Sequence, residues 1–272
     1  MATTTVARSV QLPPSRWIDE LVNQRNVSVE AEQEPLGMEY VLLAMERCPK
    51  LVHVDLFKLS SCENQHEQNI PRLFFDSAPI VWQHLVHLRL GKGCLNRENA
   101  DDEFKVWDVA RLCEAIPKFK VLRVLDVSQL DLDSDHGWMI LDACGKSPSV
   151  KELDMGMNGL HHIDDIVDDF DVVCGLEVLK LDSNAFGEFD EDSFGYELTC
   201  SGIESLFSQY TSLKELDIGA NAFYAGEGLA IAKALANCTH LCKLDVSSNY
   251  WDDTVADEIR KAWRGPADGL LL

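Results

Sequence analysis

The amino-acid sequence predicts an α/β solenoid, a stack of short parallel strands in which each strand is followed by a loop and a helix. Three observations carry this prediction. One apolar phrase recurs seven times along the chain, its apolar residues alternate with polar ones at the strand period, and the segments between phrases follow the helix period. A single unit of this kind cannot bury both a strand face and a helix stripe, whereas stacked neighbours bury both.

The phrase is complete in "VKELDMGMNGL" from Val150, "LEVLKLDSNAF" from Leu176, "LKELDIGANAF" from Leu213 and "LCKLDVSSNYW" from Leu241. Three earlier copies, "LVHVDLFKLSS" from Leu51, "LVHLRLGKGCL" from Leu85 and "LRVLDVSQLDL" from Leu122, keep the apolar positions. In these, Leu59, Gly93 and Leu130 stand where the others have Asn158, Asn184, Asn221 and Asn249. Where a strand bends into a loop its backbone loses ladder partners, and an Asn side chain, with both donors and acceptors, is expected to replace them.

Pattern and period resemble the leucine-rich repeat family, in the long-repeat class typified by ribonuclease inhibitor and the Ran GTPase-activating protein. Within the connecting segments the match is clearest in "NAFYAGEGLAIAKALANCTHL" at residues 221–241. The resemblance covers roughly residues 37–272. It implies a right-handed solenoid of about seven repeats, with a curved parallel sheet on the concave face and helices on the convex face. It constrains function very little, because function resides in sites placed on a fold.

In chain order, residues 1–16 read as a disordered N-terminal segment, residues 17–50 as a helical cap with a helix at 38–47, and residues 51–272 as the repeat domain. Helices are expected at 106–115, 137–145, 163–173, 202–210, 228–237 and 254–263. Pro71 and Pro79 interrupt "NIPRLFFDSAPIVWQHL", so only irregular or single-turn helices are expected there. Residues 252–272 read as a C-terminal cap ending in a strand.

With 46% hydrophobic residues the chain can bury a substantial core without staples. Its nine cysteines are odd in number and include no C-x-x-C pair, which points to free thiols in a reducing compartment. No apolar run approaches the roughly 20 residues of a membrane span. The expected location is cytoplasmic; import into an organelle, with the Thr-rich, acid-free leader as transit segment, is the alternative. The sequons at Asn26 and Asn237 carry weight only in a secreted chain. A formal net charge of −22 argues against nucleic acid and against anionic membrane surfaces as partners, both of which require clustered Lys and Arg.

The sequence therefore points to a non-enzymatic protein-binding or scaffold protein, a monomer or a subunit of a hetero-complex, whose partner presents a basic surface. Between the second and third apolar positions of each phrase, facing the concave surface, stand Asp55, Arg89, Asp126, Asp154, Lys180, Asp217 and Asp245; Glu152 and Glu215 stand two places earlier in their copies. The acids Asp126, Asp154, Asp217, Asp245, Glu152 and Glu215 are the expected binding row, although Asp is common there in the family and a solubilising row is the plainer account. Phe57, Met157, Tyr250 and Trp251 are possible anchors of the kind interface hot spots use. Long repeats carry their extra residues between strand and helix, at 58–73, 91–106 and 182–202, where a solenoid presents a binding rim. The third insertion interleaves Glu188, Asp190, Glu191, Asp192 and Glu197 with Phe189, Phe194 and Tyr196, a composition suited to a basic, partly apolar partner.

Sharper chemistry is not supported. "DLDSDHG" at 131–137 imitates a calcium loop, but His136 occupies the position that requires Gly; Asp133 or Ser134 fits the start of a helix better. "HHIDDIVDDFD" at 161–171 reads as an amphipathic helix with a wet acidic face, not as a metal site. No nucleophile and base pair, phosphate loop or zinc spacing is present, so no catalytic residue and no cofactor is assigned. The alternatives are a GTPase activator of the Ran-activator type, acting through a rim arginine for which Arg97 is the candidate, and a structural subunit of a large assembly.

Overall fold

The computed structural model describes residues 26–28, 51–56, 70–91, 102–161, 163, 175–187 and 194–272. The chain forms two compact units, residues 1–126 and 127–272, both built as an α/β leucine-rich repeat solenoid of parallel strands joined through helices.

In the first unit, strands β1 (Asn26–Ser28), β2 (His53–Asp55), β3 (His87–Arg89) and β4 (Val124–Asp126) pair in parallel and in chain order, with His53 opposite His87 and His87 opposite Val124. The central residue of each of β2 to β4 is buried and its two neighbours are half-buried, as the strand period requires. Strand β1 lies within the segment read as a helical cap; three residues are too few to show a period. The remainder of residues 17–50, including the helix expected at 38–47, and residues 1–16 lie outside the described residues.

Between β2 and β3 the chain forms helix α1 (Ile70–Val81), where the two prolines predicted only broken pieces. Pro71 falls in the first turn, where its missing N–H has no intrahelical partner to lose. Pro79 falls in the last turn, and the helical pattern resumes beyond it with Trp82 N–H donating to the Ala78 carbonyl at 2.9 Å. Helix α2 (Asp102–Ala115) and the 3-10 turn Ile116–Lys118 lead to β4, and α1 packs against both. Phe75, Trp82, Leu85, Leu88, Leu112 and Leu125 are almost completely buried in this unit.

In the second unit, helix α3 (Ser134–Gly145) precedes β5 (Glu152–Asp154), followed by β6 (Val178–Lys180), α4 (Phe194–Gln209), β7 (Glu215–Asp217), α5 (Ala225–Leu235), β8 (Lys243–Asp245), α6 (Asp253–Ala262) and β9 (Leu270–Leu271). Strands β5 to β9 pair in parallel in that order, and α5 packs between α4 and α6. Of the helix expected at 163–173 only the buried Ile163 is described. Helix α4 starts eight residues before its expected first residue, Gly202, so Phe194, Tyr196 and Glu197 belong to a helix and not to a rim loop. Asp133 caps α3, its carboxylate accepting the His136 backbone N–H at 3.0 Å and meeting the His136 ring at 2.6 Å. That carboxylate serves a helix start.

The repeated Asn builds the inner hydrogen-bond ladder of this unit. Asn221 is completely buried; its amide donates to the carbonyls of Leu181 (2.9 Å) and Gly219 (3.1 Å), and its oxygen accepts the Asn184 N–H at 3.1 Å. Asn158 accepts from the N–H groups of Leu130 and Leu132, Asn184 from Asn158 and Leu160, and Asn249 from Asn221 and Phe223. The residue before each Asn has left-handed backbone: Met157, Ser183, Ala220 and Ser248 have φ of 51 to 60°. Gln129, before the Asn-less Leu130, adopts φ 60°, so the turn is kept where the Asn is missing, with its amides served by Asn158. Beside the ladder, Trp138, Phe186 and Phe223 stack in series at ring-centroid distances of 6.0 and 6.4 Å.

Candidate functional site

The half-buried residues of each strand form the open face of its sheet, the surface expected to carry the binding row. In the first unit Arg89 lies between two of the acids, with Nε 3.0 Å from Asp126 and a guanidinium nitrogen 3.9 Å from Asp55. Beside them the His53 and His87 rings approach to 4.1 Å, and burial lowers the His53 pKa against the opposing pull of Asp55. Asp126 therefore faces solvent as half of an ion pair.

In the second unit Lys180 bridges Glu152 (3.1 Å) and Asp154 (3.3 Å), and Lys243 reaches Glu215 at 3.4 Å. Burial works to lower the Lys180 pKa, but hydrogen bonds and charge from Glu152 and Asp154 outweigh it and raise the pKa above the ordinary lysine value. Of the six expected acids, these contacts neutralise Glu152, Asp154 and Glu215 at least in part, as Arg89 does Asp126. Asp217 and Asp245 have no ion pair among the described residues, and neither does Asp182, which continues the outward alternation one step beyond β6.

Glycines leave room for these carboxylates, Gly156 for Asp182 and Gly219 for both Asp217 and Asp245. A Cβ on Gly156 would collide with the Asp182 carboxylate, and one on Gly219 would lie 3.3 Å from both Asp217 Oδ1 and Asp245 Oδ1. Backbone amides supply part of the missing positive charge: Gly219 N–H donates to Asp217 at 3.1 Å and Ser247 N–H to Asp245 at 2.9 Å. For Asp217 this is insufficient. Burial, assisted by the negative charges of Asp245 and Asp182 and opposed by the Gly219 amide and Lys243, raises its pKa from 3.8 to about 6. Burial and then Asp154 raise the pKa of Asp182 as well. The arrangement is a mutually repelling carboxylate row that an incoming cation would relieve.

Tyr250 is 63% exposed, as an anchor requires, and its ring lies 5.4 Å from that of Tyr224, which is 55% exposed. Met157 is also exposed, whereas Trp251 is half-buried against Gly228. Sequence reasoning missed Asp182 and Tyr224. Extending the period-two alternation past the third apolar residue would have found Asp182. Nothing local pairs Tyr224 with Tyr250, because they occupy different positions of their repeats. Phe189, Asp190, Glu191 and Asp192 of the rim insertion, with Phe57 and Arg97, lie outside the described residues.

Among the described residues no group of three or more His, Cys, Asp or Glu side chains is arranged to hold a metal, and no helix is long and apolar enough to cross a membrane. Among the described residues, Cys238 and Cys242 are free thiols.

Neither a family model nor a curated protein matches the sequence. Solved structures do match. The tropomodulin C-terminal domain of Caenorhabditis elegans is 11% identical, with a TM-score of 0.40 over 71% of this chain and 90% of that one. The leiomodin-1 fragment described as actin-binding site 2 is 13% identical, with a TM-score of 0.36 over 69% and 86% of the two chains. In a complex of TLR13 with a single-stranded RNA, the receptor is 16% identical with a TM-score of 0.43, and the match spans 90% of this chain but 36% of the receptor.

Proposed function

We propose that this protein is a non-enzymatic protein-binding module that receives a basic segment of a protein partner on the open sheet face of its second unit. The observation that carries the reading is the contrast within one surface. Glu152, Asp154 and Glu215 have lysine partners, whereas Asp182, Asp217 and Asp245 are half-buried, mutually repelling and without an ion pair among the described residues. A merely solubilising row would be well hydrated and would not sit at the cost of a raised carboxylate pKa. Preformed strands hold the row, so binding orders little of the chain. The net charge of −22 steers a basic partner toward it. The free thiols of Cys238 and Cys242 fit a reducing compartment, so the partner is to be sought in a cytoplasmic extract.

The test compares capture from such an extract by the wild-type protein and by the triple variant Asp182→Asn, Asp217→Asn, Asp245→Asn. Proteins retained by the wild type should be lost from the variant and eluted first by salt. The same proteins retained in the same amounts by both would refute the assignment of the surface. A parallel comparison lacking residues 188–193, which leaves helix α4 intact, measures what the rim insertion adds.

A further inference from the structure

We propose that Tyr224 and Tyr250 form a stacking platform for arginine at the edge of the carboxylate row, so that the partner segment is read for arginine in preference to lysine. This rests on the protein-binding reading above and adds the chemistry of the residue recognised.

The two rings are exposed, adjacent and tilted by 40°, leaving aromatic faces open to solvent. Both are carried by fixed backbone. Tyr250 N–H donates to the Phe223 carbonyl at 2.6 Å, and Phe223 is completely buried. Tyr224 is the N-cap of α5, where its own N–H is held at 3.0 Å by the carboxylate of Glu227, itself without solvent exposure. A platform held this way loses little freedom when a ligand stacks on it.

Charge selects the occupant. Asp245 lies five residues before Tyr250, so at about 3.4 Å per residue the two Cα atoms are within roughly 17 Å. Asp217 occupies the register position opposite Asp245 on the neighbouring strand. An apolar partner would have to desolvate these carboxylates without compensation, and a nucleic acid would be repelled by them. A cation is favoured at both elements. Guanidinium is flat and weakly hydrated, so it stacks on a phenol face while its N–H fork donates to carboxylate; the compact, strongly hydrated ammonium of lysine does neither as well.

Fluorescence anisotropy with labelled, amidated GRGRGRG and GKGKGKG peptides tests the proposal at about 150 mM salt, where weak surface attraction is screened. Wild-type protein should bind the arginine peptide about fivefold more tightly than the lysine peptide, an increment typical of an exposed cation–π contact. The double variant Tyr224→Leu, Tyr250→Leu, which keeps apolar bulk and net charge but removes the aromatic faces, should lose that preference. Tyr224→Phe with Tyr250→Phe should retain it, and unchanged binding of the lysine peptide by the Leu variant controls for loss of folding in that variant. If the Leu variant keeps the preference while the triple Asn variant weakens both peptides, the platform is refuted and the carboxylate reading stands. If the triple Asn variant also binds both peptides undiminished, both readings fall.

Discussion

Asn249 and Asp217 show how differently two polar residues of one repeat frame behave. Asn249 accepts the N–H groups of Asn221 and Phe223, at 3.0 and 3.1 Å, so its side chain closes the loop of the preceding repeat. Asn249→Ala is expected to cost on the order of 1–3 kcal/mol, by leaving those amides without partners. Hydrogen exchange should accelerate at residues 221 and 223 more than around residue 249, and uniform acceleration would contradict the directional role. Asp217 weakens the folded state at neutral pH. Because its pKa is raised to about 6 in the fold, the folded protein holds a proton that the unfolded chain releases; the resulting stability is complete below 3.8 and lost as pH rises through about 6. Asp217→Asn keeps the acceptor for Gly219 and removes the charge. It should raise Tm by about 1–3 °C near neutral pH, a figure discounted for the half-exposed site, and the gain should vanish in scans near the ordinary carboxylate pKa. The Asn positions were legible because the phrase repeats. Their partners in neighbouring repeats were not, since these lie 24 to 40 residues away in sequence.

At the scale of elements, strands β2 to β8 were legible in the repeated phrase, whereas β1 and the helix starts were not. Each of β2 to β8 buries its central residue between two more exposed ones, and the alternation in "ELD" or "KLD" states this directly. Helices α2, α3 and α4 begin earlier than their apolar periodicity does, since their first turns contain polar residues or glycine that resemble loop. Helix α1 forms across two prolines because Pro71 sits in the first turn, where N–H groups have no intrahelical partner, and Pro79 in the last turn forgoes one hydrogen bond while the pattern resumes at Trp82. Helix spacing is set by small residues: a Cβ at Gly228 of α5 would overlap Val255 of α6 and lie 2.9 Å from Trp251. Gly228→Ala should therefore destabilise by about 1–3 kcal/mol despite its better helix propensity, through forced separation of α5 and α6. A urea titration showing equal or greater stability would mean that Trp251 moves aside without cost.

For the whole molecule, the repeat register places a largely acidic row on one face, and the structure divides it into carboxylates with an ion pair and carboxylates without one among the described residues. That division was only partly legible. Stacking the phrases places Lys180 beside Asp154, but does not show the reach of its ammonium to Glu152 or the approach of Asp217 and Asp245 to each other over Gly219. Binding of a cationic peptide should weaken several-fold from neutral pH to about pH 5, as Asp217 takes up its proton. Asp217→Asn should flatten that part of the profile, and an unchanged slope in an anisotropy titration would assign the dependence to other groups. The ladder also has consequences for a chain emerging from the ribosome. Each of the four Asn side chains reaches toward the repeat already made, with Asn158 bonding to Val127, Asn184 to Met155, Asn221 to Leu181 and Asn249 to Ile218. A newly synthesised loop therefore remains open until the next copy of the phrase follows it out, and in this unit translation itself sets the order in which the repeats are sealed.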